Sequence, residues 1–153
     1  MNQKQPRGWA VLVSGGLNTW NNFPRYLHDL QFLYRIFRQD FGYPKDRVLA
    51  VYADGPVIDL NGDGENDIYA AAKKEHLNKL FGHLAKQVEP EDLFCLCVTN
   101  HGDREPDLGT FVWLWQEEFL TADEWAELLE PIRSQQQFLF FQPCHAGGLI
   151  PAL

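Results

Sequence analysis

Leu93-Phe94-Cys95-Leu96-Cys97-Val98-Thr99 is an uncharged apolar run, closed by Asn100-His101-Gly102-Asp103. It is short for a helix, continuous rather than alternating, and bounded by turn formers. That combination predicts a strand buried on both faces, as in a parallel sheet. Cys95 and Cys97 fall two apart, on one face, as small core residues. The strand ends two residues before His101.

Three other segments read as strands. Trp9–Ser14 (WAVLVS) is apolar and stops at Gly15-Gly16. Val48–Tyr52 (VLAVY) stops at Asp54-Gly55-Pro56. Gln137–Phe141 (QFLFF) runs into Gln142-Pro143-Cys144. Helical periodicity fills the intervals. Tyr26–Phe41 carries Leu27, Leu30, Leu33, Tyr34, Phe37 and Phe41 at helical spacing, and Gly42 and Pro44 follow. Ile68–Gln87 carries Leu77, Leu80, Phe81 and Leu84, with Val88 just beyond. Gly109–Trp115 reads as a short strand or half of a hairpin. Thr121–Leu129 reads as a helix with Thr121 as N-cap and Glu124 three residues on.

The alternation of strand and helix predicts an α/β domain with a mostly parallel sheet covered by helices, one domain over residues 1–153. In such sheets ligands bind beyond the carboxyl ends of the strands. His101 lies two residues past the third of these strands and Cys144 three past the fourth. Topology therefore predicts that both reach the edge where chemistry occurs.

A thiol is mostly protonated at neutral pH, and a neighbouring imidazole can take its proton and make the sulfur a nucleophile. The developing oxyanion needs backbone N–H donors, which Gly-rich turns present well. Gly102 follows His101, and Gly147-Gly148 follow Cys144.

These residues resemble the caspase and legumain clan of cysteine peptidases. Thr99-Asn100-His101-Gly102 is similar to the clan's strand-end His-Gly, and Phe140–Gly148 to its strand-end Cys with a Gly-containing turn. The His-to-Cys separation is close to the roughly 50 residues of caspases. Trp9–Gly15 resembles the first legumain strand. Asn22–Asp29 resembles the segment after it, with Arg25 and Asp29 matching an Arg four residues before an Asp. Pro24 and Tyr26 depart from that pattern. His145 and Ala146 depart from the caspase form and are closer to bacterial legumain-like or metacaspase-like members.

The resemblance implies a three-layer caspase-like fold and a thiol protease that hydrolyses peptide bonds in a peptide or protein substrate. His101 would be the base and Cys144 the nucleophile. The N–H groups of Gly102 and Cys144 would form the oxyanion hole, and Arg25 would reach an acidic or amide substrate side chain. The clan has further strands after the Cys strand. Only residues 146–153 follow here, so those strands are expected to be missing, and a second chain or small subunit is expected to complete the sheet.

Asp59-Leu60-Asn61-Gly62-Asp63-Gly64-Glu65-Asn66-Asp67 matches the start of an EF-hand-type calcium loop. Asp59, Asn61 and Asp63 fill positions one, three and five, and Gly64 the turn position. The Glu65 carbonyl and Asp67 would add oxygens. The twelfth position is Ala70 instead of a bidentate Glu. A calcium ion ordering this loop, rather than taking part in the chemistry, is the expectation; the competing reading is a solvated turn.

The formal charge of -8 over 153 residues disfavours nucleic acid. No apolar run approaches the roughly 18 residues that span a bilayer. The polar start and the odd count of three cysteines favour a cytoplasmic protein without a disulfide framework. Two rivals to the peptidase stand: a catalytically inactive scaffold of the same fold, and a metal site made of His101, Cys144 and His145. The latter lacks paired ligand spacing.

Overall fold

A computed structural model describes residues 7–153. Its centre is a five-stranded, wholly parallel sheet built from β1 (Gly8–Ser14), β2 (Val48–Tyr52), β3 (Ile68–Ala70), β4 (Leu93–Thr99) and β8 (Gln136–Phe141), in the order β3-β2-β1-β4-β8. Helix α1 (Pro24–Arg35) covers one face; α2 (Lys74–Gln87) and α3 (Ala122–Leu129) cover the other. The expected three-layer α/β architecture is present.

Alternation along β1 sorts the two cores. Trp9, Val11 and Val13 pack with Leu77, Leu80, Phe81 and Leu84 of α2 and Trp125 of α3. Ala10 and Leu12 pack on the other side with Tyr26, Leu30 and Tyr34 of α1. A strand whose successive side chains enter two cores must be apolar throughout, which is why the decisive runs do not alternate.

The helix starts follow local chemistry. Pro24 occupies the first turn of α1, where its missing N–H costs nothing. Thr121 caps α3: its Oγ1 accepts from Glu124 N, and Glu124 Oε2 accepts from Thr121 N at 2.8 Å.

Two boundaries differ from the sequence reading. The segment read as one helix over Ile68–Gln87 divides. Ile68–Ala70 is an edge strand beside β2, and the helix begins at Lys74. Tertiary bonds override the helix preference of the three alanines: Ala72 N donates to Ala53 O at 2.8 Å, and Ala72 O accepts from Trp115 N at 2.8 Å. The first helix widens into a π-helical turn over Ile36–Asp40, where Phe41 N donates to Ile36 O, and Phe41 is exposed. The buried stripe therefore runs through Tyr26, Leu30, Tyr34 and Phe37.

Residues after His101 form a second, antiparallel sheet of β5 (Gly102–Glu105), β6 (Gly109–Trp113) and β7 (Phe119–Thr121). The Gly109–Trp115 segment is thus its central strand. Strand β8 ends the main sheet. Phe138 and Phe140 on it are 59% and 40% exposed, and no strand follows it among the described residues. No helix among those residues is long and apolar enough to cross a membrane.

Candidate active site

Parallel pairing brings the strand ends level. Ser14 pairs with Tyr52 and Thr99, and Val98 with Phe141. A buried hydroxyl pair locks this edge. Thr99 Oγ1 donates to Ser14 Oγ at 2.9 Å, and Ser14 Oγ lies 2.7 Å from Thr99 O and 3.0 Å from Tyr26 O, joining β1, β4 and α1. Asn100, also buried, turns the chain out of β4. Its Nδ2 donates to Gly16 O and its Oδ1 accepts from His101 N at 2.8 Å.

His101 is half-buried, set edge-on against Phe23 and Tyr26 with ring centroids 5.5 and 5.2 Å away. Its Nε2 lies 3.0 Å from Asn21 O. A carbonyl can only accept, so Nε2 carries the hydrogen, and whenever the ring is neutral its lone pair lies on Nδ1. That is the state a general base requires.

Cys144 stands exposed at the opposite side of a tight contact. Gly102 packs so closely on Pro143 and Cys144 that a Cβ there would stand 2.4 Å from Cys144 O and 2.7 Å from Pro143 Cβ. Only glycine permits this approach. The His101 and Cys144 loops therefore touch through backbone. Among the described residues the Cys144 side chain makes no hydrogen bond, and the His101 ring bonds only to Asn21.

Two N–H groups are available beside them. His101 O accepts from Trp113 N, so His101 and Trp113 form a bonded pair of the small sheet. Gly102 opposite Val112 is then the non-bonded pair, and its N–H points away from β6. Cys144 N donates to no group among the described residues. His145 follows with φ 61°, turning the chain sharply into the Ala146–Leu149 turn.

Arg25 is exposed and lies on this rim. Its Nη2 donates to Tyr26 Oη at 2.9 Å, and its guanidinium sits 4.7 Å from the Tyr26 ring centroid. The bond to Tyr26 raises the Arg25 pKa, and burial pushes the Tyr26 phenol up. Both are within electrostatic reach of Cys144.

The site is open. A cavity of about 480 Å³ beside Trp9, Lys45 and His83 and another of about 510 Å³ beside Ile132, Gln137 and Leu153 touch neither His101 nor Cys144.

The acidic loop lies elsewhere, between β2 and β3. Ligand oxygens of Asp59, Asp63 and Asp67 come within 4.8 Å of one another, the one such carboxylate, His or Cys cluster among the described residues. His101, Cys144 and His145 do not form one. Backbone N–H groups of Gly64 and Gly62 hold the Asp59 carboxyl below its ordinary range, and those of Glu65, with Asn61, do so for Asp63. Asp67 is buried and already bonded to Tyr34 Oη and Leu60 N, each at 2.8 Å. Lys45 Nζ stands 3.2 Å from Asp67 and 2.7 Å from Glu65. The Asp59–Asp63 side could hold a hard cation; the Asp67 side is occupied by a lysine. Ala70 lies in β3 and supplies no carboxylate.

Sequence reasoning missed Asn21, Phe23 and Tyr26, which orient His101. Asn21 acts through its backbone carbonyl, which no side-chain pattern reveals. The sequence matches no protein-family model and no curated protein.

Proposed function

We propose that this chain is a cysteine peptidase of the caspase and legumain type. The observation that carries the reading is His101, its Nε2 hydrogen bound to Asn21 O and its Nδ1 lone pair free, in a loop packed through Gly102 onto Cys144.

His101 Nδ1 takes the Cys144 proton, and the thiolate attacks the scissile carbonyl carbon. The carbonyl electron pair moves to oxygen, where the N–H groups of Gly102 and Cys144 stabilise it. Collapse expels the amine, which receives the proton from His101 and leaves an acyl-enzyme thioester. Water, deprotonated by the same imidazole, attacks the thioester. The acid product departs and the thiol is restored. Arg25, on the rim and bonded to no carboxylate among the described residues, selects an acidic or amide side chain beside the scissile bond.

The free edge of β8, with Phe138 and Phe140 half-exposed beside it, favours a second role: it accepts a further strand or second chain that walls the substrate groove. An inactive scaffold would use that edge and leave the thiol inert. Hydrolysis of a fluorogenic peptide library by the chain, abolished in Cys144→Ala, tests the peptidase reading. No turnover, together with a Cys144 thiol no more reactive than a free cysteine, would reject it in favour of the scaffold.

A further inference from the structure

The loop from β1 to α1 presents an aromatic ring that folding does not use. Trp20 is 90% exposed, the largest exposure of any aromatic residue described. Its turn is nevertheless firmly held. Asn18 Oδ1 accepts from Trp20 N, Asn21 N and Asn21 Nδ2, each at 3.1 Å. Asn18 Nδ2 donates to Glu117 Oε1, and Glu117 N donates to Leu17 O, both at 3.1 Å. The indole is thus carried on a braced turn instead of a loose tip.

The same turn serves the imidazole. Trp20 immediately precedes Asn21, whose carbonyl binds His101, and Phe23, two residues beyond, packs on that ring. An exposed aromatic ring on a braced turn that adjoins the residue holding His101 is a platform for stacking. Its neighbours Thr19, Asn18 and Asn21 are polar, so the ring forms an isolated patch that fits one side chain rather than a broad interface. A net charge of -8 disfavours a nucleotide as the stacked group.

We propose that Trp20 is a specificity-determining residue that stacks on a bulky apolar side chain of the peptide substrate near the scissile bond. This rests on the peptidase reading and adds a substrate class to it: peptides that pair the acidic or amide residue taken by Arg25 with a nearby aromatic or large aliphatic one.

The test uses two probes with the same warhead, chloroacetyl-glycinamide and chloroacetyl-phenylalaninamide, on the full chain. Cys144 displaces chloride from either to give a thioether, and mass spectrometry reads the rate at that residue. The phenylalanine probe should label Cys144 about fivefold faster than the glycine probe, as expected for one aromatic contact. Trp20→Ala should bring the ratio to near one and leave the melting temperature unchanged. Trp20→Phe should keep most of the preference. A ratio near one in the parent, or a ratio that Trp20→Ala does not lower, overturns the proposal. The peptidase reading fails differently: both probes would label Cys144 no faster than N-acetylcysteine and no slower in His101→Ala, while the ratio still decides the role of Trp20.

Discussion

His101 Nε2 and the backbone oxygen of Asn21 stand 3.0 Å apart, so a loop that contributes no catalytic side chain decides which ring nitrogen is basic. The expected consequence is that the neutral form of His101 carries its hydrogen on Nε2. Nitrogen-15 correlation spectra at a pH above the histidine titration should show the Nε2–H tautomer for this residue. A dominant Nδ1–H form would contradict the bond and remove the base from the thiol.

Gly102 links the two halves of the site. Gly102→Ala would put a methyl group into the Pro143–Cys144 backbone and must push the loops apart. We expect about 1–3 kcal/mol of destabilisation, as for overpacking, and a loss of Cys144 reactivity larger than the stability change accounts for. Gly82 is the control. It lies inside α2, with nothing within 4 Å of an added Cβ, so Gly82→Ala should stabilise the chain by about 0.5–1 kcal/mol and leave Cys144 untouched.

Asp92 anchors the far end of the sheet. Its side chain is 1% exposed and receives Arg7, the Trp9 indole and the N–H of Glu89. Burial alone would raise its pKa; these bonds outweigh burial and hold the carboxyl well below the usual carboxylate range. A depressed folded pKa gives stability that is complete above the unfolded value, near 3.9, and is lost as pH falls through the folded value. Asp92→Asn should cost about 2–3 kcal/mol near neutrality. The gap between parent and variant in urea melts should shrink below about pH 4.

The acidic loop offers a competition. Lys45 spans Glu65 and the buried Asp67, so calcium reaching Asp59, Asp63 and Asp67 must displace an ammonium already there. We expect little effect of millimolar calcium on the melting temperature of the parent, and a rise of about 3 °C in Lys45→Ala. Equal responses would show that the lysine does not compete. Isothermal calorimetry on chelator-treated protein provides the stoichiometry.

Much of this architecture was legible in the chain. Runs such as VLAVY and LFCLCVT carry no charged residue and are buried at all or most positions, so they read as strands between two helical layers. The Thr121–Glu124 box marked the start of α3 directly. The edge strand Ile68–Ala70 was hidden because Ala70-Ala71-Ala72 favours a helix locally, and only bonds to Ala53 and Trp115 draw it out. At the site, His101 and Cys144 could be proposed from the sequence because the reading rests on the chemistry of their side chains. Asn21 and Gly102 could not be assigned their contacts, since one acts through a carbonyl and the other through the absence of a side chain.

Cysteine labelling across pH tests the central claim most directly. Cys97 is buried and its thiol is pushed up to about 12, and burial also raises Cys95, whereas Cys144 is exposed, in a loop packed on Gly102 next to His101. With iodoacetamide at about pH 6, mass spectrometry should find Cys144 alkylated selectively, and His101→Ala should abolish that selectivity. Equal, sluggish labelling of all three cysteines, unaltered by the histidine substitution, would contradict the dyad.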